Sequence, residues 1–354
     1  YTVDLRQELQ EGNRSIFSRK LQELMTDRLN KGQQTILFLN RRGYAGFVSC
    51  RSCGEVMKCP HCDVSLSEHK GGRLICHYCG YTQPMPKLCP KCGSKYILGF
   101  KAGTQQIEEK LKELYPGVRT LRMDADTTRT KDSYEKILSS FANGEADVLI
   151  GTQMIVKGHD FPKVTLVGIL AADLSLNASD YRAGERTFQL LTQAVGRAGR
   201  GVLPGEAVIQ TYQPDHYAIT CAAAQDYESF YQEEILYREL SGYPPVAHML
   251  AVQIYGKEEE NVKQLALRLT DVVKSNMDFL SGKQKEQSNK KIQVLGPAPA
   301  NISKINDIYR YVFYVKHAEY DVLVEVKDRL EETLRQWQPR QMSIQFDFDP
   351  VSVL

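Results

Sequence analysis

Apolar positions along the chain follow two rhythms, and the changes between them mark out the elements. Phe17, Leu21, Leu24 and Met25 line one side of a helix that Lys31-Gly32 closes. Residues 35–39 form a continuous apolar run of strand length. After a long cysteine-bearing interval the pattern resumes: 105–114 reads as helix, Thr120–Met123 as strand, 132–141 as helix and Val148–Gly151 as strand. Residues 165–171 make another strand, a helix ends near Val195, and 206–212 is the last strand of this series. Apolar strands interleaved with amphipathic helices predict an α/β fold with a parallel sheet covered on both faces.

Ser241-Gly-Tyr-Pro-Pro245 interrupts this pattern, and a different one follows. Residues 249–255 and 308–316 alternate as half-buried strands do, and 292–295 supplies a further strand. One helix carries Val262, Leu265, Leu269 and Val272, and a second carries Leu323, Val326, Leu330 and Leu334. Ile344, Phe346 and Phe348 share one strand face, giving β-α-β-β-α-β, a split βαβ sandwich of α+β class. The polar run 283–291 is a solvated loop. The expected organisation is a discontinuous lobe over 1–48 and 98–238, an insert over 49–97, and a second domain over 239–354.

Composition narrows the picture modestly. The chain is 42% hydrophobic and 25% charged, as globular domains are, and 354 residues suffice for two or three cores. A net charge of +2 neither announces nor excludes a nucleic-acid partner. No apolar run is long enough for a membrane span, and no basic start leads into an apolar signal core. With Tyr1 rather than Met at its start, the chain reads as a fragment or processed product, and its expected location is cytoplasmic.

Eight of the nine cysteines form four C-x2-C pairs: Cys50/Cys53, Cys59/Cys62, Cys76/Cys79 and Cys89/Cys92. Such pairs in a long chain without an export signal suit thiolate-bound metal better than disulfides. Four knuckles make two tetrahedral zinc sites, in three possible pairings. The preferred one is nested, Cys59/Cys62 with Cys76/Cys79 inside and Cys50/Cys53 with Cys89/Cys92 outside, because the neighbouring pairs leave little chain to turn. An iron–sulfur cluster is the second choice. All-thiolate sites keep no position open for water, so both ions are structural. From Cys50 to Tyr96 there are seven Lys/Arg against three Asp/Glu, with Tyr78, Tyr81 and Tyr96 interleaved. That surface suits DNA or protein as well as it suits plain solvent.

Three segments at element ends carry the candidate motor chemistry. They are Phe38-Leu-Asn-Arg-Arg-Gly-Tyr44, Ile150-Gly-Thr-Gln-Met-Ile-Val-Lys-Gly-His-Asp160, and Gln193-Ala-Val-Gly-Arg-Ala-Gly-Arg200. Arg197 and Arg200, three apart at a helical turn, direct two planar cations to one side, as a transferring phosphoryl group requires. Gln193 lies one turn earlier and can orient a phosphate or the attacking water. A surface arginine pair capping a helix end is the bland alternative. Gly103-Thr104 at a helix start offers backbone N–H groups to a DNA phosphate.

Taken in order, these segments resemble motifs IV, V and VI of superfamily 2 helicases. GTQMIVKGHDFPKVTL and QLLTQAVGRAGRG, preceded by LFLNRRGYA and the paired cysteines, resemble the PriA family of primosomal replication restart helicases. The match covers residues 34 to 212 and continues through VLGPAPA and the terminal FDFDPV. It implies the second RecA-like lobe of an ATP-dependent 3′→5′ DNA helicase that recognises stalled forks and reloads the replication machinery. By the same resemblance Arg197 and Arg200 are arginine fingers, with Gln193 in their motif. Gly151, Thr152 and Gln153, with Lys157 and Gly158, couple DNA phosphates to the ATP site. Asn40 and Arg41 lie at the DNA-facing edge, the cysteines hold two zinc ions, and the last domain is S10-like. Implied partners are forked, single-stranded and duplex DNA, the single-stranded-DNA-binding protein and primosome loading proteins, with the protein a monomer.

The sequence departs from a complete motor. It has no G-x4-G-K-[ST] phosphate loop and no Asp-Glu-x-His motif, so the chain alone is expected to be inactive, with ATP and magnesium belonging to a complete protein. Gly256-Lys257 lacks the upstream glycine, and Asp124 and Asp126 follow a strand of this lobe rather than forming a magnesium pair. Cys221 and Trp337 read as core or lid residues, His159 as a loop histidine, and Tyr181 and Arg182 as secondary candidates for DNA contact. The competing reading is a zinc-stabilised scaffold that binds forks and proteins without turnover. A third, a remodeller acting on RNA, fits the cysteine insert less well.

Overall fold

Continuous apolar strands leave no solvated face, so each must be covered twice, and the first half of the chain is built that way. The computed structural model describes residues 1–39, 48–61, 64–69, 72–77, 79–99, 103–124, 127–128, 131–156, 160–177, 180–275 and 292–351. In order, the chain forms β1 (Thr2–Asp4), α1 (Leu5–Gln10), α2 (Arg19–Asn30), β2 (Gln34–Leu39), β3 (Val48–Cys50), β4 (Ser67–His69), β5 (Arg73–Ile75), β6 (Thr82–Pro84) and β7 (Ile97–Gly99). It continues with α3 (Thr104–Leu114), β8 (Thr120–Met123), α4 (Lys131–Ala142), β9 (Val148–Gly151), β10 (Val164–Leu170), α5 (Asp173–Leu176), α6 (Ala183–Val195) and β11 (Glu206–Thr211). The remainder is α7 (Tyr217–Ala224), α8 (Tyr227–Ser241), β12 (His248–Gly256), α9 (Glu259–Ser275), β13 (Gln293–Ile305), β14 (Ile308–His317), α10 (Tyr320–Trp337) and β15 (Met342–Phe348).

Two compact units result. The first comprises Tyr1–Met57, Pro86–Ala178 and Arg182–Tyr231; the second comprises Lys58–Met85, Ser179–Tyr181 and Gln232–Leu354. In the first unit, β1-β11-β10-β2-β9-β8 form a six-stranded sheet, parallel throughout. Alternate residues of one strand enter different cores: Ile36 and Phe38 pack on one face, Leu37 and Leu39 on the other. All seven residues of β10 are buried, and each large apolar side chain so buried contributes about 1.5–3 kcal/mol. Gly168 lies where a Cβ would fall 2.8 Å from Leu37 and 2.9 Å from Leu21, so its lack of a side chain lets α2 approach the sheet. Ser18 caps α2 by accepting from the Leu21 amide at 3.2 Å, and Gly32 ends it at φ +63°.

The edge strand β1 has no counterpart in the sequence pattern. It is three residues long and pairs with β11 from Thr2↔Ile209 to Asp4↔Thr211. A segment that short has no measurable period. The α/β reading is otherwise met, with Cys221 buried in the core as expected.

The second unit holds a four-stranded antiparallel sheet in the order β13-β14-β12-β15, with α9 and α10 packed on one face. This is the split βαβ order. Strand β13 runs for thirteen residues, far past the predicted 292–295, because register shifts between Leu295/Ala298 and Pro299/Lys304 accommodate its prolines. Trp337 packs beside this core with the Arg268 guanidinium 4.1 Å from its ring centroid. A small sheet, β4-β5-β6, belongs to the same unit.

Candidate functional site

The cysteine clusters rest on a repeated backbone device. In all four knuckles the amide of the leading cysteine donates to the carbonyl five residues on. The pairs are Cys50 to Glu55, Cys59 to Val64, Cys76 to Tyr81 and Cys89 to Ser94, each at 2.8 Å. In the first, third and fourth, the glycine after the second cysteine returns its amide to the leading carbonyl at 2.8–2.9 Å. Gly54, Gly80 and Gly93 do this at φ +77°, +78° and +70°, a region that side chains resist. C-x2-C-Gly is therefore the fuller sequence signal, and reading cysteines alone passes over it.

These turns bring Cys50, Cys53, Cys89 and Cys92 together in the first unit, all four sulfurs within 4.8 Å of one another. Cys50 Sγ lies 3.6 Å from Cys92 Sγ, and Cys53 Sγ lies 3.6 Å from Cys89 Sγ. Cys59, Cys76 and Cys79 gather likewise in the second unit, with Cys59 and Cys79 sulfurs 3.5 Å apart. Cys62 lies outside the described residues. A tetrahedron with metal–sulfur bonds of about 2.3 Å has edges of about 3.8 Å, whereas a disulfide bond is about 2.05 Å. The spacing thus fits zinc and not disulfides, and the described cysteines are unbonded to one another.

Electrostatics agree. Burial raises the cost of ionising Cys50, but hydrogen bonds from the Cys53 and Ser52 amides and from Cys92 outweigh it and bring the thiol down to about 7. Burial, with the neighbouring sulfurs, pushes Cys53 up to about 12. Four thiolates this close repel, and a dication in their midst is what lets all of them ionise.

Each cluster is fastened to its own unit. A Cβ on Gly54 would sit 2.5 Å from the Tyr212 carbonyl oxygen, so the first knuckle lies directly on the carboxyl end of β11. Arg51 Nη1 donates to the Tyr212 hydroxyl at 2.7 Å, its guanidinium 5.0 Å from that ring's centroid. The Tyr212 amide donates to Asp173, which also accepts from Thr211 Oγ1 at 2.9 Å. Burial raises the Asp173 pKa. In the second unit, His77 Nδ1 lies 3.1 Å from the Pro299 carbonyl and its Nε2 lies 3.0 Å from His69 Nε2. A carbonyl only accepts, so Nδ1 carries the proton and Nε2 receives one from His69. Burial lowers both histidine pKa values, favouring these neutral forms.

The arginine turn lies elsewhere in the first unit. Helix α6 ends at Val195, leaving Gln193 exposed on its last turn. The chain continues in i→i+3 turns, Arg197 N to Ala194 O at 3.0 Å and Ala198 N to Val195 O at 3.2 Å. Both guanidinium groups then meet one carboxylate. Arg200 Nη1 bonds Asp160 Oδ1, and Arg197 Nη1 lies 3.6 Å from the same atom. Burial, then the charge of Arg200, lowers the Arg197 pKa, though a guanidinium stays cationic. Arg200 Nε also donates to Gly196 O at 2.8 Å. Glycines pin the turn: Gly199 N donates to Val164 O at 3.0 Å, and a Cβ on Gly201 would lie 2.4 Å from Pro162 O. It is thus anchored at the N-terminal end of β10. Asp160, exposed and in a loop, carries no periodic signal by which the sequence could single it out.

Gly151 closes β9, where a Cβ would fall 2.7 Å from Met123 O, and the Thr152 amide reaches that oxygen at 3.3 Å. Gln153 opens a 3-10 turn, Gln153–Val156. Asn40, Arg41, Lys157, Gly158 and His159 lie outside the described residues. Gly103 begins α3 in extended conformation without a side-chain cap. Thr104 Oγ1 donates to Asp124 at 2.6 Å, and Asp124 also accepts from the Thr127 amide at 3.0 Å, which occupies it locally. Tyr181 is stacked on Tyr243 with its hydroxyl on Pro350 O at 3.1 Å, and Arg182 pairs with Glu185 at 2.7 Å.

A parallel lobe with these motifs and a cysteine-rich zinc region is a class met in helicases. Three family models match: the PriA DNA helicase Cys-rich region domain over residues 59–84, the Helicase conserved C-terminal domain over 88–202, and the Primosomal protein N C-terminal domain over 239–351. The chain belongs to the PriA family. It is 44% identical to Replication restart protein PriA of Bacillus subtilis over 99% of its length and 43% of that protein. For the Synechocystis protein of that name the figures are 42%, 99% and 41%, and for that of Haemophilus influenzae 35%, 97% and 44%. The chain therefore spans somewhat over two fifths of these relatives.

Proposed function

We propose that this chain is the second motor lobe, zinc region and C-terminal domain of an ATP-dependent DNA helicase that moves 3′→5′ and serves replication restart and primosome assembly. The observation that carries the reading is the convergence of Arg197 and Arg200 on Asp160. One carboxylate holds two cations ready for a more highly charged partner, and a triphosphate is such a partner. On this reading Arg197 and Arg200 stabilise the γ-phosphoryl group as it leaves, and Gln193 orients phosphate or water beside them. Gly151, Thr152 and Gln153, followed by Lys157 and Gly158, couple that site to the DNA backbone. Asn40 and Arg41 face DNA, and the uncapped amides at Gly103-Thr104 take a phosphate.

Zinc at the two clusters supplies rigidity and no reaction step, because thiolates fill each coordination shell. The phosphate loop and magnesium carboxylate come from sequence absent here, so the chain alone hydrolyses no ATP. By family resemblance its partners are forked, single-stranded and duplex DNA, the single-stranded-DNA-binding protein and primosome loading proteins, in the cytoplasm and as a monomer.

The test is single-stranded-DNA-stimulated ATP hydrolysis by the full parent polypeptide, unmutated and as Arg197→Ala. A loss on the order of 10³-fold with zinc content and DNA binding intact is expected. Undiminished hydrolysis would remove these arginines from the ATP site.

A further inference from the structure

The outer cluster is not evenly sheltered. Cys50 and Cys89 are buried and Cys53 is half-buried, but Cys92 is exposed. The described members of the inner cluster, Cys59, Cys76 and Cys79, are buried or half-buried, and Cys221 lies in the core of the lobe. Among the described residues Cys92 is therefore the one exposed cysteine. The thiolate is both the metal ligand and the nucleophile of cysteine chemistry. Thiolate character together with exposure selects a cysteine for oxidation, and a second sulfur close by completes the reactive pair.

That second sulfur is present. Cys92 Sγ faces Cys50 Sγ at 3.6 Å, and Cys53 Sγ faces Cys89 Sγ at the same distance. Each facing pair joins the first knuckle to the fourth, and contacts that bypass the sulfurs join them again. Ser52 Oγ lies 2.8 Å from Ser94 Oγ, and Lys91 Nζ lies 3.2 Å from a Glu55 carboxylate oxygen. The Arg51 amide donates to Tyr96 O at 2.8 Å, and Cys50 stands opposite Ile97 where β3 pairs with β7. These ties do not run through a metal, so they keep Cys50 beside Cys92 when the metal is gone. From 3.6 Å, a disulfide bond of about 2.05 Å needs only a small approach.

We propose that Cys92 is a site of oxidation by hydroperoxides, which joins it to Cys50 as a disulfide and releases the outer zinc. The Cys92 sulfur attacks one peroxide oxygen. An S–O bond forms, the O–O bond breaks, and the departing oxygen takes a proton from water to leave as water or an alcohol. The Cys50 thiolate then attacks the Cys92 sulfur, forming the S–S bond as the S–O bond breaks and hydroxide leaves, to be protonated to water. Two thiolates have lost two electrons and the peroxide has gained them. Cys53 and Cys89 remain, only half of a structural zinc shell. The first knuckle carries the change into the lobe, since Gly54 rests on the Tyr212 carbonyl and Arg51 donates to the Tyr212 hydroxyl. Thiol reductant with added zinc reverses the step. Neither ATP nor DNA takes part, so the proposal stands or falls apart from the motor reading.

Hydrogen peroxide is the probe, applied to the zinc-loaded chain. Released metal is read with a colorimetric chelator, and disulfides are mapped by mass spectrometry of non-reduced peptides. Zinc release is expected to run in step with the appearance of a Cys50–Cys92 bridge, and reductant with added zinc to restore the metal and remove the bridge. Cys92→His replaces the oxidisable sulfur with a nitrogen ligand, as in zinc sites of three cysteines and one histidine. Once atomic absorption shows this variant to be loaded, its release of the outer ion under peroxide is expected to be slowed severalfold. Zinc retained by the native chain, a bridge that omits Cys92 or Cys50, or native-rate release from loaded Cys92→His each overturns the proposal. Should the variant not load, the bridge map of the native chain decides alone.

Discussion

Asp160 and Arg200 form an ion pair forty residues apart in sequence, and the same carboxylate oxygen lies 3.6 Å from Arg197. A carboxylate shared by two guanidinium groups limits where both can point. On the motor reading Asp160 is a positioning residue. Asp160→Asn in the full parent protein is expected to lower single-strand-stimulated ATP hydrolysis roughly 10²-fold, the scale of a small misplacement. The loss should fall on kcat more than on KM for DNA. A variant with normal kcat would show that the pair is only a surface contact.

The outer cluster should answer to a single ligand. Cys89→Ser is expected to halve the zinc content measured by atomic absorption and to cost on the order of several kcal/mol of stability in the first unit. The inner cluster, formed by other knuckles in the other unit, should keep its metal. Loss of all zinc from this variant would contradict the independence of the two sites.

Gly54 and Gly72 separate conformational strain from collision. Both have positive φ, +77° and +69°. Only Gly54 has a backbone neighbour in the way, the Tyr212 carbonyl oxygen 2.5 Å from where a Cβ would stand, whereas nothing lies within 4 Å of the same point on Gly72. Gly72→Ala should cost about 1 kcal/mol and Gly54→Ala distinctly more, about 3 kcal/mol. Denaturant unfolding of the two variants compares them directly, and equal costs would mean that the knuckle does not bear on β11.

Acid sensitivity should reside partly at Asp147. Burial raises its pKa, but hydrogen bonds from the Arg119 side chain and amide outweigh that and hold it below the usual carboxylate value. A depressed folded pKa means stability present above the unfolded pKa and lost as pH falls through the folded one. Asp147→Asn should therefore be less stable than the native chain at neutral pH, the two converging as acid protonates Asp147. A constant difference across that range in melting experiments would assign the effect to packing.

Much of this is legible where long segments carry a strong period. The fully buried β10 states its environment in its residues, whereas β12, read as alternating, is buried on both faces from Met249 to Val252 and alternates only beyond. The clustering of Cys50, Cys53, Cys89 and Cys92 is likewise readable, since a turn needs chain between knuckles. What escapes is tertiary. Asp160 is one acidic loop residue among many until Arg197 and Arg200 are placed beside it. Strand β1 exists only because β11 offers an edge, and β13 outruns its apolar core because bulges absorb residues that propensity alone excludes.

The short antiparallel pair of β3 and β7 sets Val48 opposite Gly99 and Cys50 opposite Ile97. The chain thus leaves the lobe and returns to it through adjacent, hydrogen-bonded strands, like the two sides of a doorway. Whatever lies beyond that doorway can be lengthened, shortened or exchanged without asking the six-stranded sheet to re-register. A tight turn closed at this point would keep the register of the sheet but forfeit the Arg51–Tyr212 bond and the seat of Gly54 on β11, so the cysteine-rich segment is joined to the lobe by contacts as well as by chain.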